Sequence, residues 1–213
     1  MTTILPKPTI LIAVDVIVIA VTCWTLQVLL VQRSDIKKES WVLPGWFVGQ
    51  KETLLQAAKR KLQEETWYNK FTIHDIWIFD AVTRDPRARV ISAWFLAVTN
   101  KTLFPFKDWY HTSNAQFFPI HTLPYLLFDH KKIIASAVKK LQELIMHTNI
   151  AKELLPKEFT LTDLQKTYEQ ILWKELNVRN FRNKVVEDWL IKPTWNIQIG
   201  VWHRPAQYFS FIL

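Results

Sequence analysis

The hydrophobic pattern of the chain changes period several times, and each change marks an element. From Ile12 to Val21 the run IAVDVIVIAV is almost continuously apolar and β-branched; LQVLLVQR, Leu26 to Arg33, follows after the linker TCWT. Short apolar runs of this kind read as two adjacent buried strands of one sheet. The segment Thr9–Val31 is long enough to raise the question of a membrane span. Asp15 lies inside it, however, Thr22, Thr25 and Gln27 break its second half, and no basic cluster flanks its start. FTIHDIWIFDAV and RVISAWFLAV are further strands. Between the two strand pairs a helix begins at Glu52–Thr53, with Leu54, Leu55, Ala58 and Leu62 on its apolar face. FDHKKIIASAVKKLQELI, Phe128 to Ile145, is a second amphipathic helix with Asp129 placed to cap it.

Beyond a short connection, Thr148–Pro156, the order of elements changes. LTDLQKTYEQIL is a helix that Thr160 or Thr162 can cap, NVRNFRNKVVEDW is a second helix capped by Asn177, and IKPTWNIQIGVWHRPAQYFSFIL reads as a hairpin. Helix, turn, basic helix, hairpin is the order of a winged helix-turn-helix, whose second helix enters the major groove. Arg179, Asn180, Arg182, Asn183 and Lys184 lie on or near one side of that helix, and His203 and Arg204 fall in the wing. The segment's overall charge is modest, eight basic residues against six acidic from 157 onward, so the order of elements carries the DNA-binding reading more than the charge does. The competing reading of this tail is a small helical subdomain used for dimer contacts.

Composition narrows the class. With 213 residues the chain holds one large domain or two small ones, and 49% hydrophobic against 22% charged residues excludes a disordered protein. The lone Cys23 excludes an internal disulfide framework and fits a reducing, cytoplasmic setting. A formal charge of +8 favours polyanionic partners, nucleotides or nucleic acid, without choosing between them.

Chemistry concentrates in WVLPGWFVGQKETLLQAAKRKLQEETWY, Trp41 to Tyr68. Arg60 and Glu64 are four apart and can pair along the helix. The stretch resembles the Nudix box, G-x5-E-x7-R-E-U-x-E-E-x-G-U, with Glu52, Arg60, Leu62, Glu64, Glu65 and Tyr68 in register and WVLPG as the family's lead-in. The resemblance implies that Glu52, Arg60, Glu64 and Glu65 are the catalytic positions, with Glu64 and Glu65 holding a divalent metal, Mg2+ in a weak or vestigial form, against a diphosphate. The box departs from the pattern at Trp46 and Trp67, where glycine is expected, and at Lys61, where glutamate is expected. An ammonium in place of a carboxylate changes the local charge by two units, each worth roughly 4 kcal/mol at about 4 Å and an effective dielectric near 20. Binding can survive that change, and efficient hydrolysis is not expected to.

TRDPRAR, Thr83 to Arg89, combines a turn signal at Asp85–Pro86 with three arginines. It resembles the RDPRGR segment of ADP-ribose-type Nudix proteins and their regulatory relatives; that likeness implies ligand contacts from Arg84, Arg87 and Arg89, with Arg33 as a fourth. The C-terminal part resembles the winged helix of the NrtR family through FTLTDLQ, the RNFR run and HRPAQYF. The two resemblances together imply an α+β protein: a Nudix α/β/α sandwich with a mixed sheet over 1–147, a linker 148–156, and a winged helix over 157–213. The implied function is a ligand-responsive transcriptional regulator of NAD metabolism. Its ligand would be ADP-ribose or a related NAD-derived diphosphate, its other partner double-stranded DNA, and its state a homodimer without a membrane. The alternative is a Nudix hydrolase of ADP-ribose or nucleoside-diphosphate sugars with an accessory tail; a third is a dimeric metabolite-binding protein with neither activity.

One imbalance stands apart. The chain has 3 glycines and 11 tryptophans, whereas ordinary usage of about 7% glycine would give roughly 15. Trp46, Trp67, Trp173, Trp189, Trp195 and Trp202 stand where the resemblance expects glycine, with Trp24, Trp77 and Trp109 as weaker members of the set and Trp41 matching a family tryptophan. A genetic code that reads UGA as glycine accounts for the pattern; the other account is true divergence, with tryptophans filling a ligand cleft or partner surface.

Overall fold

The computed structural model describes residues 9–33, 40–66, 72–100, 112–187, 191–198 and 205–212. Strand β1 (Leu11–Thr22) organises the first sheet. It pairs antiparallel with β2 (Thr25–Arg33) near its end and with β4 (Gly45–Phe47) near its start, and parallel with β6 (Val90–Thr99) along most of its length. Antiparallel pairing adds β3 (Trp41–Val42) and β7 (Thr112–Pro119) to β2, and β5 (Thr72–Phe79) to β6, completing a mixed sheet of 7 strands. The apolar segment Thr9–Val31 is therefore a β-hairpin, and no helix among the described residues is long and apolar enough to cross a membrane.

Because β1 is covered on both faces, its side chains alternate between two cores. Val14, Val16, Val18 and Ala20 pack with Ala57, Ala58 and Leu62 of α1 (Leu54–Thr66). Ile17 and Ile19 pack on the other side with Ile133, Ile134 and Leu141 of α2 (His130–His147). A sheet between two helices is the sandwich the resemblance implied. The apolar face of α1 differs in detail from the sequence reading. Ala57 is fully buried, whereas Leu55 sits at the border of the stripe and stays 41% exposed. Lys61 and Glu65 fall inside the stripe itself, which buries most of both side chains.

After α2 come α3 (Ala151–Leu154), inside the segment read as a plain connection, then β8 (Phe159–Thr160), α4 (Leu161–Leu172), α5 (Val178–Glu187), β9 (Ile191–Ile197) and β10 (Gln207–Phe211). The last strands form a small sheet in the order β8-β10-β9. Thr160 caps α4 in a reciprocal box with Asp163, and Asn177 caps α5 by accepting the Asn180 N–H at 3.0 Å. Between the two helices Trp173 adopts the left-handed conformation, φ 52°, and closes α4. Glu169 fixes the turn: its carboxylate accepts the Leu176 N–H at 3.0 Å and the Gln165 amide at 2.9 Å, and pairs with Lys166 at 2.7 Å. The Lys166 ammonium and the Leu176 N–H hold its carboxyl near a pKa of about 2. Phe159, Leu164, Ile171, Val185 and Ile191 join the α2 core, and Gln142 on α2 donates to the Ile171 carbonyl at 2.9 Å, so one apolar core runs from the large sheet into the helix-turn-helix.

Candidate functional site

The Nudix-like stretch folds as loop and helix tied at several points. Thr53 accepts the Gln56 N–H, and Gln56 accepts the Thr53 N–H, a capping box that starts α1. Arg60 reaches back to grip Glu52 with two bonds, 2.9 and 2.6 Å, while the Gly49 N–H donates to the same carboxylate at 2.7 Å. These bonds, Arg60 first, hold the Glu52 carboxyl near a pKa of about 2 and raise the guanidinium above its usual value. A Cβ at Gly49 would lie 3.1 Å from Glu52 Oε1, tight enough to disturb that bond. Arg60 also meets Glu64 at 3.1 Å, the pairing the spacing implies. Burial raises the Glu64 carboxyl, but the bonds from Arg60 and Lys61 outweigh it and the net shift is downward.

Lys61 lies against both remaining carboxylates. Its Nζ is 3.2 Å from Glu64 Oε2 and 3.0 Å from Glu65 Oε1, with the Trp46 ring centroid 5.5 Å away. Trp67 and Tyr68, the other end of the box, lie outside the described residues.

The arginine loop is built differently from a row of free cations. Arg84 is buried at 8% exposure and points inward, forked onto Asp129 at 3.0 and 2.8 Å and touching Asp15 at 3.4 Å. Asp129 does stand at the start of α2, but its carboxylate serves Arg84 and makes no capping bond. Asp15 also accepts from Ser92, and His130 Nε2 lies 3.6 Å from it. The Leu43 N–H donates to His130 Nδ1 at 3.0 Å, which makes that nitrogen an acceptor, and burial holds the imidazole pKa below its usual value. Arg89 donates to the carbonyls of Asp80 and Ala81 and so ties its own loop. Arg87 alone of the three keeps a half-exposed side chain; it pairs with Asp85 at 2.8 Å, and its guanidinium lies 5.0 Å from the Phe128 ring. Arg33 ends β2, and its side chain is outside the described residues.

Asp15, Arg84, Arg87, Phe128 and His130, with Trp46 and Phe47, line a solvent-open cleft. Asp15 projects to the α2 face of the sheet, and the charged residues of α1 lie on the other face. Trp46, on the edge strand β4, borders both. Of the residues named from the sequence, Arg84 and Arg87 therefore lie at the cleft, while Arg60, Glu64 and Glu65 lie on the α1 face of the sheet. The inward use of Asp15, Ser92 and His130 had no local signal, because each needs partners more than 65 positions away.

On α5 the side chains of Arg179, Asn180, Arg182, Asn183 and Lys184 are exposed, while Phe181 and Val185 turn inward. The polar set therefore forms the outer surface of the second helix of the helix-turn-helix. His203 and Arg204 lie outside the described residues.

A mixed-sheet sandwich carrying a box-like loop-helix, followed by a winged helix, defines a Nudix domain with a DNA-binding module. The Nudix domain family matches residues 11–141, and the NrtR DNA-binding winged helix domain matches 151–211. The chain belongs to the Nudix family, in the branch with an NrtR winged helix. It is 31% identical over 213 residues to the ADPR responsive transcriptional repressor NtrR of Acinetobacter baylyi, covering 98% of this chain and 84% of that one. It is also similar to the crystal structure of Shewanella oneidensis NrtR complexed with a 27mer DNA, with a TM-score of 0.81, 26% identity and coverage of 94% and 93%. The Nudix domain of the same protein complexed with ADP ribose matches with a TM-score of 0.57 and 27% identity, over 65% of this chain and 94% of that one.

Nudix proteins typically use a divalent metal. The donor set here does not fit one well: an ammonium lies between the two adjacent glutamates, and among the described residues no three His, Cys, Asp or Glu side chains converge on a common point.

Proposed function

We propose that this chain is an ADP-ribose-responsive transcriptional repressor acting in the cytoplasm as a homodimer. Residues 1–147 form the ligand-binding Nudix unit, 148–156 the linker and 157–213 the DNA-binding unit. The observation that carries this reading is the whole-chain likeness to a repressor of that description, spanning both units at 31% identity. The cleft beside Arg87 and the charged face of α1 offer polar and cationic groups to a nucleoside diphosphate. The exposed Arg179, Asn180, Arg182 and Lys184 are the proposed DNA contacts, with His203 and Arg204 added from the wing. A homodimer would place two recognition helices against a two-fold operator. The test is a gel-shift titration of a promoter fragment with and without ADP-ribose: ligand is expected to release the DNA, and DNA binding unaffected by ligand would reject the reading.

Two further expectations follow from residues already placed. Arg179→Ala or Arg182→Ala should weaken promoter binding by about 1–3 kcal/mol if the side chain reads a base, or lower the salt slope by about one if it meets a phosphate. Unchanged affinity in both variants would favour the dimer-contact role for this helix. The native protein should turn over ADP-ribose slowly, and Lys61→Glu should raise Mg2+-dependent turnover by about tenfold or more, a gain of about 1.4 kcal/mol. Ordinary enzymatic rates from the unmodified chain would support the hydrolase alternative instead.

A further inference from the structure

The charged face of α1 has a balance that its departure from the box conceals. Glu52, Arg60, Lys61, Glu64 and Glu65 together carry a net charge of −1. With glutamate at position 61 the same side chains would carry −3, and one divalent cation would return them to −1. Position 61 thus supplies in the chain the charge that an ion would otherwise bring.

Geometry agrees with the charge. Lys61 and Glu65 are one helical turn apart on the buried stripe of α1, and Glu64 is three residues on from Lys61, so one flexible ammonium reaches both carboxylates. The Lys61 side chain is only 13% exposed, and that of Glu65 5%, which shields this pair from solvent. Glu52 is engaged by Arg60 and the Gly49 N–H. A divalent ion entering here would have to displace the ammonium and then stand beside it, an arrangement that like-charge repulsion opposes.

We propose that the Lys61 ammonium is a tethered replacement for the divalent cation, holding Glu64 and Glu65 together and meeting a diphosphate directly, so that anion binding at this face needs no metal. The diphosphate part rests on the ligand reading above; the displacement of metal does not.

The test uses the full-length chain, with Mn2+ alone as the first probe, followed by electron paramagnetic resonance. Wild type is expected to leave the ion free, and Lys61→Glu to bind it at least about tenfold more tightly. Equal Mn2+ affinity in the two proteins would overturn the proposal. The second arm is calorimetric titration of ADP-ribose in EDTA and in Mg2+. Wild-type affinity should differ less than about twofold between buffers, while Lys61→Met, folded by circular dichroism, should lose about tenfold in EDTA. A wild type that needs Mg2+ to bind, or a Lys61→Met variant that binds as wild type does in EDTA, would overturn it. ADP-ribose binding in neither buffer would reject the ligand reading and with it the diphosphate contact, leaving the Mn2+ comparison to judge the displacement of metal.

Discussion

Arg84→Ala should lower the stability of the protein by about 3–5 kcal/mol, because removing one partner of a buried ion pair strands the other. The guanidinium is the cation that faces Asp15 and forks onto Asp129, and all three side chains are largely buried. Without it, Asp129 and Asp15 would be two neighbouring carboxylates with too few donors. The Ser92 hydroxyl would still serve Asp15, but a neutral donor cannot offset the charge. Arg87→Ala is the milder comparison: its own side chain is 50% exposed, and although Asp85 beneath it is only 6% exposed, the backbone N–H of residue 87 would still donate to that carboxylate, so a smaller loss of about 1–2 kcal/mol is expected. Urea unfolding of both variants checks the contrast, and an Arg84→Ala loss under about 1 kcal/mol would mean that water reaches this cluster freely.

The same cluster has a pH signature. Burial depresses the His130 pKa, so the folded state binds fewer protons there than the unfolded chain, whose imidazole titrates near 6.5. The stability contributed by neutral His130 is therefore complete above that value and declines as pH falls through it toward the folded pKa. Glu52 and Glu169, both near a pKa of about 2, act lower: their contributions are present above the ordinary glutamate value and are lost as pH falls from there toward 2. Acid unfolding should accordingly begin with the α2-side cluster, before the Glu52–Arg60 tie of α1 and the Glu169 tie of the helix-turn-helix are titrated.

Which features the sequence revealed depends on how local their causes are. The β1–β2 hairpin, α1, α2, α4 and α5 were legible because periodicity and capping residues lie within each element, as Thr160 and Asn177 illustrate. The short strands β3, β4 and β8 were missed, since two or three residues give no period and exist only through their partners. β7 was missed for a related reason: TSNAQFFP is a weak strand former that β2 recruits by pairing along its length. At the site, the Glu52–Arg60–Glu64 alignment follows from helical spacing and was legible. The inward turn of Arg84 was not, because an arginine beside a turn signal reads as exposed, and its acidic partners lie 69 and 45 residues away.

The tryptophans yield the second large effect. Backbone conformation separates them into two groups. Trp24 and Trp173 have φ of 56° and 52°, the left-handed region where a residue with a Cβ is disfavoured by about 1–2 kcal/mol relative to glycine. Their positions explain the conformation. Cys23–Trp24 is a two-residue hairpin turn with positive φ at both residues, the type that selects glycine second, and Trp173 is the left-handed C-cap of α4. Trp46 and Trp195 lie in strands without positive φ, so the strain argument does not extend to them, while Trp67, Trp109, Trp189 and Trp202 are outside the described residues. Trp77 stacks on Trp94 at 6.3 Å and has a packing role. Trp195 is fully exposed at 103%, and no burial offsets its presence. Trp24→Gly and Trp173→Gly should therefore each stabilise the recombinant protein by about 1–2 kcal/mol, and together by roughly twice that, since the sites share no partners. Trp46→Gly should bring no such gain. In the native protein, peptide mass spectrometry should read glycine at 24 and 173 if both are UGA codons read as glycine. Tryptophan at both positions in native peptides would end that explanation and leave two strained indoles to be accounted for by divergence. The helix-turn-helix adds a functional readout: the Trp173 backbone N–H closes α4 on the Glu169 carbonyl, and the Glu169 side chain positions Leu176 ahead of α5. A glycine that relaxes this turn should sharpen the placement of Arg179 and Arg182, so Trp173→Gly is expected to tighten promoter binding, and Trp24→Gly, in the β1–β2 turn, is expected to leave it unchanged.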